Sequence, residues 1–278
     1  MTALLAVASA LTFGASDFAG GLASRRASAL AVSWFAQAAG LLVLAPGLLL
    51  LTGTPSTRAI GVGAVAGIAG ASGLVLYFRG LALGPMGLAS PLAGVTGAAL
   101  PVIIGLRAGE EPSTLASVGI GLGLLAVVLA TGRDLTASRR DGLGRGPLLA
   151  LLGGIGFGVF FVALDASPTD SGLWPLLGAR LISIVLLGAL LLVRRPAIPR
   201  DRAFLGLALA TGVLDMVANV LFLEATRAGL LSLAALLSSL YPVVVAGLAH
   251  GLLRERLDRL QWTAVATCVG AVGLITLG

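Results

Sequence analysis

The sequence alternates between long apolar runs and short clusters rich in Gly, Pro, Ser and Arg. A helix that crosses the hydrocarbon core of a bilayer needs about 20 consecutive, mostly apolar residues. The pattern therefore predicts an all-α integral membrane protein with ten transmembrane helices. Ser113 and Asp258 precede the fifth and tenth runs and are suitable helix N-caps. The predicted spans are residues 2–22, 29–51, 59–82, 85–106, 113–132, 147–167, 172–193, 203–226, 229–250 and 260–277.

Short matches recur between the two halves of the chain. Phe13-Gly14 in the first span matches Phe157-Gly158 in the sixth, 144 residues later. Ala36-Gln37 in the second span resembles Ala179-Arg180 in the seventh. A nearly constant offset between such matches indicates an internal duplication.

Two acidic residues extend this match. Glu110 follows Gly84 by 26 residues, and Glu255 follows Gly229 by the same interval. The duplication predicts two five-helix repeats joined by the Arg-rich stretch between the fifth and sixth spans. The predicted boundaries are a first repeat at 1–132, a linker at 133–146 and a second repeat at 147–278.

Equivalent loops of the two halves differ in Arg content: where one is rich in Arg, the other is poor, as an inverted repeat requires. Five spans are an odd number, so the second repeat must enter the membrane in the opposite orientation. Arg25 and Arg26 follow the first span, whereas the equivalent turn at 167–170 has no Arg. Only Arg58 follows the second span, whereas four Arg follow the seventh: Arg194, Arg195, Arg200 and Arg202. By the positive-inside rule the Arg-rich face is cytoplasmic, and both termini then point outward.

Composition supports the membrane assignment and excludes several functions. The chain of 278 residues is 58% hydrophobic and 11% charged, with a mean hydropathy of +1.05, whereas a soluble domain has about 25% charged residues. All 18 basic residues are Arg, so a Walker A lysine is absent. The net charge of +6 lies in loops beside the spans and does not indicate nucleic acid. One Cys and one His provide no disulfide and no metal cluster, and we expect no cofactor.

The eighth span carries a stripe of polar residues. Thr211, Asp215, Asn219, Phe222 and Thr226 follow helical spacing and share one face. A carboxylate in an apolar span faces a protein interior or a wet cavity, because exposure to lipid costs several kcal/mol. Inverted repeats place substrate sites near the midplane, so Asp215 and Asn219 are the leading substrate-binding candidates. The alternative is that Asp215 only forms a structural ion pair with a neighbouring helix.

Two further charged residues lie inside predicted spans. Asp17 in the first span is a candidate proton-binding carboxylate, or else an interfacial residue close to Arg25. Arg180 in the seventh span is a candidate counter-ion for Asp215 or an anchor for a substrate carboxylate. The alternative for Arg180 is a side chain that extends along the helix to the membrane surface.

Small polar residues mark two other faces. Tyr241-Pro242 loosens the ninth span, because Pro has no N–H to donate. Ser239 shares a face with Pro242, and Ser90 shares a face with Pro101 in the fourth span. Both faces are candidate cavity linings, and Tyr241, Ser239 and Ser90 are candidate binding residues. The alternative is helix packing through small residues.

The chain resembles the drug/metabolite transporter superfamily, specifically its EamA-like ten-span members. The resemblance depends on the two five-span halves, on 13–18 (Phe-Gly-Ala-Ser-Asp-Phe), and on the two repeat endings, which are Pro101 with Gly109-Glu110 and Tyr241-Pro242 with 253–257. The family usually has Gly before the second Glu, where this chain has Arg254. The related small multidrug transporters also use a carboxylate in their first helix. Many members keep both termini in the cytoplasm, opposite to the orientation that the Arg count predicts here.

The resemblance implies a secondary transporter and not an enzyme. We expect proton-linked or facilitated export of a small amphipathic metabolite, amino acid or drug by alternating access. The expected cavity is lined by spans one, three, four, six, eight and nine. The protein is expected in the cell membrane as a monomer or homodimer, with a small-molecule substrate and the lipid bilayer as its partners. An intramembrane enzyme and a non-transporting assembly subunit are the alternatives.

Overall fold

The computed structural model describes residues 1–50, 52–83, 86–125, 145–199 and 201–253, together with 259, 262–263, 266–267, 270–271 and 274. All regular elements in these residues are helices. They are α1 (Thr2–Ser24), α2 (Ala29–Leu50), α3 (Thr57–Leu83), α4 (Met86–Arg107), α5 (Thr114–Leu125), α6 (Arg145–Asp165), α7 (Trp174–Arg194), α8 (Arg202–Ala228), α9 (Leu231–Ser238) and α10 (Tyr241–Leu253), with a 3₁₀ turn at Thr169–Ser171.

Most helices begin and end within about two residues of the spans that the apolar pattern predicts. In the described part of the chain, seven segments are long and apolar enough to cross a membrane, and one of them, Leu231–Leu253, comprises both α9 and α10. The chain is therefore an all-helical, multi-pass membrane protein. The predicted span 260–277 and the predicted cap Asp258 lie outside the continuously described residues. Most of the predicted linker is also outside them, and α6 begins at Arg145, before the predicted end of that linker.

The ninth predicted span is divided into two helices. Ser239 and Leu240 form a turn between α9 and α10, and the N–H of Leu240 donates to the carbonyl of Leu237 at 3.2 Å. Pro242 has no N–H with which to continue the α-helical ladder across this turn. The effect of Tyr241-Pro242 predicted from the sequence is thus confirmed.

Glycine allows two pairs of helices to approach closely. A Cβ on Gly67 of α3 would overlap the carbonyl oxygen of Ala179 in α7. A Cβ on Gly212 of α8 would overlap the carbonyl oxygen of Ala36 in α2. Small residues permit this kind of backbone contact between membrane helices. The two contacts bring α2, α3, α7 and α8 around the centre of the bundle, and α1 packs along α8 while α6 packs along α3.

Polar contacts between loops define one end of the bundle. Thr54 Oγ1 donates to Asp170 Oδ2 at 2.7 Å, and Arg227 Nη2 donates to the carbonyl of Gly172 at 2.7 Å. The loops after α2, α6 and α8 therefore lie together at this end. At the other end, Arg26 and Asp201 approach to 3.9 Å, but both side chains are more than half exposed, so this pair contributes little stability.

Side-chain caps fix the starts of several helices. Ser113 Oγ accepts the N–H of Ala116 at 3.1 Å, which confirms the predicted cap of α5. The carboxylate of Glu110, in the turn between α4 and α5, accepts the N–H groups of Leu231 at 2.8 Å and Ser232 at 3.0 Å. Since α9 has no side-chain cap from its own N-cap residue, Glu110 supplies these acceptors from a distant part of the sequence.

Candidate functional site: a polar cavity between the two halves

A small cavity, about 50 Å³ in volume, lies between the central helices. Residues of α1, α2, α3, α6, α7, α8 and α10 line it. The sequence predicted spans one, three, six, eight and nine correctly as lining elements. It omitted α2 and α7, and no described residue of the fourth span, which it included, lines the cavity.

The cavity wall combines apolar rings with charged and polar groups. The apolar surface would hold a hydrophobic group, and the small number of polar atoms would orient it. The aromatic residues are Phe13, Phe157, Phe160, Phe161 and Tyr241. The charged and polar residues are Asp17, Gln37, Arg180, Ser183, Asp215 and Asn219.

An ion pair between α7 and α8 forms the charged part of the wall. Arg180 donates through Nη2 to Asp215 Oδ2 and through Nη1 to Gln37 Oε1. The side chains of Arg180 and Asp215 are only 5% and 15% exposed. Arg180 therefore lies inside the bundle and does not extend to the membrane surface. The ion pair that was one of the alternatives for Asp215 is therefore present. Both Arg180 and Asp215 also line the cavity.

Asp17 lies across the cavity in a different environment. Its side chain is buried, and Oδ2 accepts a hydrogen bond from the hydroxyl of Tyr77 at 3.1 Å. Among the described residues, no ion pair to Asp17 is present. Arg25 is exposed at the end of α1, so the structure does not support an interfacial pairing of Asp17 with Arg25.

Two polar atoms of the cavity residues have no hydrogen-bond partner in the described part of the chain. Asn219 donates through Nδ2 to the carbonyl of Asp215 at 2.7 Å, but its Oδ1 is buried and unpaired. The buried hydroxyl of Tyr241 is also unpaired. Buried polar atoms are nearly always hydrogen-bonded, so unpaired atoms at a cavity are available to water or to a ligand.

The structure does not place Ser90 or Ser239 at the cavity wall. Ser90 Oγ lies 3.0 Å from the hydroxyl of Tyr77, behind Asp17. Ser239 lies at the break between α9 and α10, where a Cβ on Gly94 would be 3.1 Å from its carbonyl oxygen and 2.9 Å from Pro242. The contact between α4 and the break is therefore close helix packing, the alternative that the sequence left open.

Sequence reasoning missed Tyr77 and the aromatic wall. One signal was available, because Tyr77 and Tyr241 are the only tyrosines in the sequence, and both lie inside predicted spans with Tyr241 near the middle of its span. Tyrosine in membrane proteins is enriched at the interfaces, so a central tyrosine indicates another role. The two rings meet in the structure with centroids 6.3 Å apart.

Residues 144–277 match the family model described as "EamA-like transporter family". This match covers the second half of the chain. The family is part of the drug/metabolite transporter superfamily, so the resemblance predicted from the sequence is confirmed. The match supports a membrane transporter of this type.

The fold of the chain also occurs in a solved structure. A chain described as "Crystal structure of protein" is similar over 99% of this chain and 96% of its own length, with a TM-score of 0.73 and 20% sequence identity. This likeness shows the shared fold alone. No curated protein sequence matches the chain significantly.

Proposed function

We propose that the protein is a secondary transporter that exports a small amphipathic zwitterion, such as an apolar amino acid, in a proton-linked step. The observation that carries this proposal is a cavity between membrane helices that presents both charges and an aromatic surface. Ionisable groups inside membrane proteins commonly mark transport pathways. The proposal assigns substrate binding to Arg180, Asp215, Asn219 and Tyr241, and proton binding to Asp17.

The charges support a zwitterion over a singly charged molecule. Arg180 is a fixed cation with a planar donor group that suits a carboxylate. Asp215 accepts a hydrogen bond from one of these donors and Gln37 from another. A substrate carboxylate can share Arg180, and a substrate ammonium can pair with Asp215 or Asp17. The phenyl rings would then hold the apolar side chain.

Contacts between equivalent residues support the proposal of two inverted repeats at 1–132 and 147–278. A shift of about 145 residues relates Gly67 to Gly212 and relates Ala179 to Ala36. The contact of Gly67 with Ala179 thus corresponds to that of Gly212 with Ala36. The same shift relates Gln37 to Arg180, and these two side chains hydrogen-bond to each other.

Alternating access follows from this arrangement. Inverted repeats that enclose a central site can rock against each other and open it to each face in turn. The proposal places the protein in the cell membrane with both termini outward, acting as a monomer or homodimer. An open central cavity favours transport over an assembly subunit, which would have a dry, packed centre. A protease site has no support from His250, which is exposed near the end of α10.

Three probes with one aromatic ring and different charges test the substrate class. The probes are L-phenylalanine, phenethylamine and phenylacetate, added to the purified protein during thermal unfolding. A ligand at about 100 times its Kd stabilises a protein by about 2.7 kcal/mol. We expect phenylalanine to raise the Tm most and Asp215→Asn to abolish the increase. Proteoliposomes should also take up labelled phenylalanine in response to a pH gradient.

Glu224→Gln is the matched control, because Glu224 is a carboxylate of the same helix that is 46% exposed and pairs with Arg227. This variant should retain the wild-type response. An equal response to all three probes, or a greater response to phenethylamine, would contradict the zwitterion proposal. Unchanged binding by Asp215→Asn would remove the proposed site.

A further inference from the structure

Three buried side chains, Asp17, Tyr77 and Ser90, form a hydrogen-bonded chain that runs from α1 through α3 to α4. The hydroxyl of Tyr77 lies 3.1 Å from Asp17 Oδ2 and 3.0 Å from Ser90 Oγ. Asp17 is 7% exposed, and Tyr77 and Ser90 are both 0% exposed. Of the three, only Asp17 lines the cavity. The chain therefore leads from the cavity wall into the packed interface of α1, α3 and α4.

The hydroxyl protons of this hydrogen-bonded chain can be arranged in two ways. A tyrosine hydroxyl has one proton, so Tyr77 cannot donate to both neighbours at once. When Asp17 is ionised it only accepts, so Tyr77 donates to Asp17 and Ser90 donates to Tyr77. When Asp17 is protonated it can donate to Tyr77, which then donates to Ser90. The same oxygen positions suit both states of Asp17, and the two states differ by the direction of the donors.

The chain also approaches one end of the bundle. At 1.5 Å per helical residue, Tyr77 lies about 9 Å along α3 from Leu83, and Ser90 lies about 6 Å along α4 from Met86. Asp17 lies about 10 Å along α1 from Ser24. Successive members of the chain are therefore nearer to the end where α3 stops and α4 begins.

The other charged groups around Asp17 do not connect it to the interior of the bundle. In the described part of the chain, the titratable and charged groups facing it are Tyr77 on α3, Tyr241 on α10, and Asp215 with its partner Arg180. Asp215 is neutralised by Arg180 and lies in the cavity. Tyr77 is the group that connects Asp17 to a hydroxyl outside the cavity.

We propose that Tyr77 relays the proton of Asp17 to Ser90, which gives the proton a route separate from the substrate cavity. The O–H bond of Asp17 breaks as its proton passes to Tyr77 Oη, and Tyr77 transfers its own proton to Ser90 Oγ. Ser90 passes its former proton to water that reaches it when this end of the bundle opens. Reprotonation follows the reverse order. The relay rests on the proposed proton linkage, and it adds the path that the proton takes.

The test is the rate at which Asp17 changes protonation after a pH jump, followed by the infrared band of its carboxylic acid carbonyl. This readout needs no substrate, and Asp17→Asn assigns the band. A positioned proton-transfer group contributes on the order of 100-fold or more to a rate. We expect Tyr77→Phe and Ser90→Ala to lower the rate at which the Asp17 band changes by a factor of that order. Ser33→Ala should not change the rate, because Ser33 is also a 0% exposed serine but has no partner among the described residues.

The outcomes separate the relay from the proposed function. If Asp17 titrates in the wild type and both variants retain its rate, the relay is wrong and proton linkage stands. If Asp17 shows no titration in the wild type, proton linkage is wrong and the relay with it. Phenylalanine thermal shifts in Tyr77→Phe check that the cavity is intact, and Ser90→Ala provides an independent answer if Tyr77→Phe does not fold.

Discussion

Arg180 carries a full charge in the middle of the bundle, and side chains from two other helices share it. Asp215 neutralises it and Gln37 accepts a second hydrogen bond. Moving a charge out of water is costly, and a buried pair recovers that cost only with good geometry and further hydrogen bonds. The pair therefore keeps a charge in an apolar protein at a place where a substrate can reach it.

The ion pair predicts strong coupling between its two members. Arg180→Gln or Asp215→Asn alone should lower the free energy of unfolding by about 3–5 kcal/mol, because each leaves one buried charge without its partner. The double variant should lose much less than the sum. Thermal or denaturant unfolding of the purified protein measures this cycle. The exposed pair of Arg26 and Asp201 is the control, with a coupling of about 1 kcal/mol or less. Additive effects of Arg180→Gln and Asp215→Asn would mean that the pair is not formed in the membrane protein.

The chemistry of these residues was predictable from the sequence, but their grouping was only partly so. Asp17, Asp215 and Arg180 were detected because a charge in an apolar span needs an explanation. Tyr77 and the phenylalanines were not, since aromatic residues are ordinary in such spans. Ser90 and Ser239 share faces with small residues, and that pattern fits a cavity and close packing equally well. Only the positions of the neighbouring helices distinguish the two.

At the scale of the element, helix contacts are set by where glycine permits backbones to touch. Span boundaries were predictable because the apolar run itself defines them, and the break before Tyr241 was predictable from Pro242. The partners of each helix were not, because glycines recur throughout the spans and most spacings suit several contacts. Gly61 and Gly67 both lie in α3, yet only Gly67 meets another helix.

This difference gives a test within one helix. Gly67→Ala should lower the Tm clearly, because the added methyl group overlaps the backbone of α7 at Ala179. Gly61→Ala should leave the Tm unchanged or raise it, because Ala is favoured over Gly in helices by about 1 kcal/mol and no atom lies within 4 Å of its Cβ. Thermal unfolding in one detergent compares them directly. Equal effects of the two substitutions would contradict the contact between α3 and α7.

At the scale of the whole molecule, the contacts divide the loops between two ends, and most of the Arg residues in the described loops lie at one of them. The loop after α7 at 195–201 belongs to the Arg-rich end, together with Arg26. The turn between α4 and α5 belongs to the opposite end, with the start of α9. The positive-inside rule assigns the Arg-rich end to the cytoplasm.

Single cysteines test this orientation. In a Cys268→Ser background, Glu111→Cys should react with a membrane-impermeant maleimide in intact cells, because Glu111 is exposed at the end assigned to the outside. Ala197→Cys is also exposed but should react only after the cells are permeabilised. The reverse pattern would place both termini in the cytoplasm, as in many relatives. Reaction of both cysteines in intact cells would contradict the proposed inverted arrangement.

The carboxylate of Glu110 has a consequence for how the chain can be divided. It accepts the first N–H groups of α9 from a turn some 120 residues earlier in the chain. A fragment that began at α6 would keep every apolar residue of its own helices. The N–H groups of Leu231 and Ser232 at the start of α9 would nevertheless lose their acceptor, Glu110. The second half therefore cannot complete the start of α9 alone, because the acceptor belongs to the first half.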